Sequence, residues 1–204
     1  MQPTIRPYRP ADLDAVYDIC VRTADAGGDA RGMYSDDRLM GDLFAAPYVT
    51  LEPAVAHILD DGTGAAVGYV VGTADTQRFA RRYRDEWLPV ADRPEPPEPP
   101  VTPEENMLSL HHHPERMIVP ELAGYPAHLH IDLLPEWQGR GFGRGLIGAF
   151  LKGVHKAGAR RVHLGMVPSS LGARKFYERL GFVEIPLADP GSLYLGRDTY
   201  SPLR

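Results

Sequence analysis

A second cysteine is missing from this chain, so Cys20 has no internal partner and a disulfide-stapled scaffold is excluded. Cys20 falls in the apolar-periodic stretch Leu13, Val16, Tyr17, Ile19, Cys20, which makes it a buried, inert thiol rather than a nucleophile. No run of eighteen apolar residues exists to form a membrane-spanning helix. The opening MQPTIRPYRPADLD lacks the apolar core and small-residue cleavage site of a secretory leader, so a cytoplasmic protein is expected. Gly-Lys-Ser/Thr occurs nowhere, which excludes the nucleoside-triphosphate loop. Acid is missing from residues 138–177, a segment that holds eight Lys or Arg; with a formal net charge of −5, the remainder stands at −13. That asymmetry suits a local anion site in a body that attracts cations, and the net acidity argues against a nucleic-acid binder.

What is present organises as one domain over 1–204, with a proline-rich insertion at about 75–125. Thr4 to Arg9 reads as a strand, and Asp12 as the N-cap of a helix with apolar positions 13, 16, 17 and 20. A short helix is expected over Ser35 to Phe44. The apolar runs Pro53 to Leu59 and Ala65 to Thr73 flank Asp61-Gly62-Thr63-Gly64 and predict an antiparallel hairpin. Thr76 to Trp87 reads as helix. RPEPPEPPVTP, residues 93–103, can be neither helix interior nor sheet centre, and serves as a stiff spacer or as a lid or docking segment. His111-His112-His113 lacks companion ligands at metal-binding spacing and reads as a flexible surface segment, so no metal is expected.

Ala127 to Leu134 alternates as a strand, Gln138 to Gly158 is a helix entered through a glycine loop, and Arg161 to Met166 is a second strand. Leu171 to Leu180 reads as helix, with Phe182 to Ile185 and Ser192 to Leu195 as final strands. Alternation of strand and helix after an antiparallel start predicts an α/β fold with a mixed sheet. In LHIDLLPEWQGRGFGRGLIGAFL a strand runs into a glycine-spaced turn and then into an amphipathic helix. Unpaired N–H groups at such a helix start attract phosphate oxygens, and Gly141 and Gly143 carry no Cβ to obstruct them. Arg140 and Arg144 are positioned to add charge. The string Gly143-x-Gly145-x-x-Gly148 satisfies the dinucleotide fingerprint in form, but its glycines lie inside the helix and no acidic residue follows to hold a ribose.

Gln138-x-x-Gly141-x-Gly143 resembles the CoA-binding motif of the GNAT acetyltransferase superfamily. Ala173-Arg174-Lys175-Phe176-Tyr177-Glu178-Arg179-Leu180-Gly181-Phe182 resembles the helix and strand that follow in that superfamily. More narrowly, IRPYRPADLDAVYDIC and LHIDLLPEWQGRG are similar to bacterial relatives of the acetyltransferase-like C-terminal domain of eukaryotic O-GlcNAcase. One departure is Ser170, where the superfamily often has Asn.

The resemblance implies a GNAT-type mixed central sheet, splayed between the two parallel strands that flank the CoA helix, and acetyl-CoA as co-substrate. It places CoA on Leu133, Leu134, Gln138, Gly139, Arg140, Gly141, Phe142, Gly143, Arg144, Ser170, Ala173 and Phe176. Amides around Leu133 and Leu134 would stabilise the oxyanion. It also gives Tyr177 the task of protonating the departing thiolate. Direct transfer to a primary amine is implied, either a small molecule or a lysine side chain. An amine of pKa about 10.4 must lose a proton at a cost of about 4.6 kcal/mol at pH 7, so a base is useful. His128, His130 and Asp132 share one strand face, and Asp132 and His130 are the candidates. The −13 remainder would favour a cationic acceptor. The rival reading is an inactive pseudo-acetyltransferase that senses CoA or binds protein; no membrane or nucleic-acid partner is expected, and the protein is taken as monomer or homodimer.

Overall fold

The Gly62-Thr63-Gly64 turn closes a hairpin between strand β2 (His57–Asp60) and strand β3 (Ala66–Thr73), and β1 (Thr4–Pro7) pairs antiparallel on the outer side of β2. In this computed structural model residues 2–187 and 193–203 are described. Strand β4 (Ala127–Leu133) pairs antiparallel with β3, and β5 (Arg161–Met166) runs parallel to β4. The strands β6 (Val183–Ile185) and β7 (Leu193–Asp198) complete a seven-stranded sheet of order β1-β2-β3-β4-β5-β7-β6. Ser192, expected to open the last strand, lies outside the described residues. The α/β mixed sheet is therefore as the residue pattern requires.

Helices cover both faces. α1 (Leu13–Val21), α2 (Leu39–Phe44) and α3 (Ala46–Leu51) precede the hairpin. α2 starts later than its sequence pattern suggests, and Pro47 does not end helical structure but sits in the first turn of α3, where its missing N–H costs nothing. Asp12 precedes α1 but its side chain does not cap it: the carboxylate instead takes Arg6 and the Arg9 amide. Residues 76–91 run as α4 (Thr76–Arg82), a π turn at Tyr83–Trp87 and α5 (Leu88–Ala91). Asp75 caps α4 by accepting from the Arg78 amide.

The proline-rich stretch has no regular element until Pro103, which opens α6 (Pro103–His112) behind a Thr102/Glu105 capping box. This overturns the flexible-segment reading of His111-His112-His113. His111 is fully buried inside α6, with Nδ1 2.8 Å from the Tyr83 hydroxyl, and burial pushes it down to about 4. The composition signal was hidden because a helix that begins at proline and ends in histidines has weak amphipathic periodicity.

α7 (Phe142–Lys156) buries Leu146, Ile147, Phe150, Leu151 and Val154 against β2, β3 and β4. Its first turn starts four residues later than the glycine loop suggested, so Gln138 to Gly141 form a true loop ahead of it. α8 (Leu171–Arg179) follows β5 and ends as Gly181 adopts a left-handed φ of 84°.

Candidate active site

The two parallel strands separate. β4 and β5 register only at Ala127 with Val162 and His128 with His163, although both strands run on for several residues. Ladder alternation then fixes which amides face the gap. Leu134 N–H donates to the Val67 carbonyl at 3.0 Å, which makes Gly68 and Leu133 a non-hydrogen-bonded pair in the β3–β4 ladder. The Leu133 N–H therefore points away from β3, into the opening beside β5. Of the two amides expected to stabilise the oxyanion, that of Leu134 is taken by the Val67 carbonyl and that of Leu133 faces the gap.

Beyond the strand the loop presents donors. No acceptor among the described residues takes the amides of Gly139, Arg140, Gly141, Phe142 or Gly143. Gly141, the N-cap of α7, sits at φ 86° with nothing within 4 Å of where a Cβ would be, so its surroundings are open. Gly143 is glycine for another reason: a Cβ there would meet the Phe176 ring at 3.0 Å, so its role is to let α8 close onto α7. Gln138 turns back, its Nε2 donating to the Leu133 carbonyl at 2.8 Å, and pins the loop to the end of β4. Arg140 lies over Trp137, 4.8 Å from the ring centre, while Arg144 donates to the Leu203 carbonyl at 2.9 Å. Arg144 thus braces the C-terminal segment. Ser170 occupies the N-cap position of α8 without a side-chain cap bond, and Ala173 is exposed one turn later. Open amides at a helix start, an uncrowded turn and a splayed strand fit a diphosphate and its pantetheine arm.

On the opposite face of β4, His128, His130 and Asp132 line up as the strand period requires. Ile131, on the α7 side, approaches Gly143. Tyr69, directly across the ladder from Asp132, donates its hydroxyl to Asp132 Oδ2 at 2.5 Å. Burial pushes the Asp132 carboxyl up to about 6, with the Tyr69 bond pulling the other way. Beside them the Cys20 thiol is pushed up to about 12 by burial, so it stays protonated and inert.

The histidines are wired together. Thr76 Oγ1 lies 2.8 Å from the Pro126 carbonyl, which can only accept, so Oγ1 in turn accepts from His128 Nδ1–H at 2.7 Å. His128 Nε2 is then a lone pair, and the Tyr48 hydroxyl donates to it at 2.8 Å. Tyr48 Oη accepts from His130 Nε2–H at 3.3 Å, which assigns the lone pair of His130 to Nδ1. Burial, then the Arg116 charge, pushes His130 down to about 4, so it is neutral at pH 7. His163 Nδ1–H donates to the Tyr125 carbonyl at 2.8 Å, and its ring lies tilted 5.6 Å from that of His128.

Tyr177 is buried between the rings of Phe176 and Phe182, at centroid distances of 5.1 and 5.5 Å. Its hydroxyl has no hydrogen-bond partner among the described residues, and burial with the Asp132 charge raises its pKa. Sequence reading missed Tyr48, Tyr69 and Thr76. Each sits in an apolar or helix-start stretch where core packing is the ordinary fate, and no spacing rule ties them to the histidines.

Residues 114–184 match the family model for the acetyltransferase (GNAT) domain. The solved structure of SsHAT superposes with a TM-score of 0.94 at 56% identity, covering 98% of this chain and 100% of that one. The chain belongs to the GNAT family of N-acetyltransferases. This GNAT protein is also 28% identical over 188 residues to protein O-GlcNAcase of Rattus norvegicus, matching 89% of the present chain. It spans only 20% of that protein's length. The yncA acetyltransferase of Salmonella typhimurium, solved with its cofactor acetyl-CoA, shares the fold with a TM-score of 0.56 at 13% identity, 98% of its chain covered against 99% of this one. No helix of the described residues is long and apolar enough to cross a membrane.

Proposed function

We propose that this GNAT protein transfers the acetyl group of acetyl-CoA directly to a primary amine. The observation that carries the reading is the opening of β4 from β5, with the Leu133 N–H facing the gap and the amides of 139–143 left without an acceptor among the described residues. Those loop amides would hold the diphosphate, with Gln138 fixing the loop and Phe176 the facing helix. Acetyl-CoA supplies an activated thioester acyl group. Leu133 N–H donates to its carbonyl oxygen, where negative charge develops.

His130 Nδ1 accepts one N–H of the incoming amine and orients it. As the nitrogen–carbon bond forms and the carbon–sulfur bond breaks, Asp132 takes the amine proton and the Tyr177 hydroxyl gives a proton to the departing thiolate. A carboxyl near 6 is a better base for this than an ordinary aspartate, and still ionised at pH 7. With no hydrogen-bond partner among the described residues and a raised pKa, the Tyr177 hydroxyl stays protonated at pH 7 and holds a proton to give.

Calorimetry with acetyl-CoA, paired with thiol release in the presence of amines, tests the reading. Tight binding and amine-dependent release are expected from the wild type, and Gly141→Glu should lose binding while staying folded by circular dichroism. Binding without release on any amine would leave a CoA sensor instead, and unchanged affinity in Gly141→Glu would remove the loop from the donor site.

A further inference from the structure

Part of the acidity outside 138–177 is paired within the protein. Glu52 pairs with Arg78 at 2.9 Å, Asp42 and Asp36 share Arg93 at 2.5 and 2.6 Å, and Glu115 is held by Arg84. None of these carboxylates is left to attract an ammonium group.

Arg116, next to Glu115, differs from the arginines that hold them. Its Nε donates to the Leu110 carbonyl at 2.9 Å, and its guanidinium lies over the Phe44 ring, 5.8 Å from the centre. Among the described residues neither Nη has a hydrogen-bond partner and no carboxylate pairs with it. The group is thus anchored at one nitrogen and supported on one face, with its two-pronged outer edge open. Phe44 in turn meets the His130 ring edge-on at 5.8 Å, and the neighbouring Met117 Sδ lies 3.7 Å from the Tyr48 hydroxyl. Burial chiefly, and the Arg116 charge with it, depresses the basicity of both His128 and His130, which places this cation near the two imidazoles. A fixed fork of N–H donors at that position matches a planar carboxylate and repels a second cation.

We infer that the acceptor is an amine carrying a carboxylate on the same small molecule, an amino-acid-like compound whose carboxylate docks on Arg116 while its nitrogen reaches His130 and Asp132. This rests on the acetyltransfer reading above and gives it a substrate class. Arg116 is exposed, so its unpartnered Nη groups are open to a dissolved carboxylate. The Arg116 charge repels a second cation on the acceptor, which disfavours polyamines and aminoglycosides.

The test compares each of the twenty L-amino acids with its carboxamide, and adds straight-chain diamines, using thiol release from acetyl-CoA. The free acid of at least one pair should be preferred at least tenfold in kcat/KM over its amide. In Arg116→Ala that preference should collapse through KM with little change in kcat, while acetyl-CoA affinity by calorimetry is unchanged; Arg116→Lys should restore part of it. Preference for amides or diamines, or a ratio untouched by Arg116→Ala, would overturn the inference and leave acetyltransfer standing. Acetyl-CoA bound with no amine turned over would sink the acetyltransfer reading, and this inference with it.

Discussion

Asp132 is the residue on which the chemistry is most exposed to measurement. Its carboxyl is pushed up to about 6 by burial, so the rate should climb with pH through that value as the carboxylate forms. Asp132→Asn should lower kcat by about 10²–10⁴. The Tyr69 hydroxyl stabilises the ionised form, so Tyr69→Phe should move the acid limb of the thiol-release profile to higher pH; a limb that stays put would uncouple Tyr69 from the base. Stability follows the opposite sign. A carboxyl whose folded pKa exceeds its unfolded value contributes fully below about pH 4 and loses that contribution as pH rises through about 6. Asp132→Asn should therefore melt higher than the wild type at pH 7.5, with the gap closing at pH 4, by at most about 3 kcal/mol.

Two helices meet where the donor is expected to lie, and their contact depends on a missing side chain. Gly143 of α7 faces Phe176 of α8, and the residue after Phe176 is Tyr177. Gly143→Leu should force the rings apart, cost about 1–3 kcal/mol of stability and reduce turnover by moving Tyr177. Adding Phe176→Ala makes room, so the double variant should recover part of the lost melting temperature; strict additivity would show that the two sites do not touch. Helix existence was legible from periodicity at α1, α7 and α8, since their apolar stripes are wide. Helix α6 was not legible, because its burial is supplied by Tyr83 and α2 rather than by a stripe of its own.

For the molecule as a whole, the proline-rich stretch is tied down at its start. Arg93 reaches the buried Asp42, whose other partner is the Tyr17 hydroxyl, and side-chain exposures of 17% and 7% mark this as an interior pair. Removing one partner of such a pair strands a charge, so Arg93→Ala should cost about 3 kcal/mol, against about 0.5 or less for Arg31→Ala in the exposed Asp29 pair. Thermal melts should separate the two by roughly 5–10 °C for a chain of this size. Equal melting temperatures would mean that the insertion is not stapled through Asp42.

The hairpin, the order of strand and helix around the glycine loop, and the shared face of His128, His130 and Asp132 follow from local pattern alone. Two-residue alternation and glycine turns act over neighbouring residues, and their geometry survives whatever they pack against. Which amides stay open, by contrast, was decided only by tertiary structure: Leu134 is consumed by Val67, and Leu133 is freed because β5 diverges from β4. The Thr76–His128–Tyr48–His130 chain and the placement of Arg116 beside Phe44 join residues from distant parts of the sequence. Such contacts arise when the sheet and its flanking helices close on one another, and no spacing rule within a single segment encodes them.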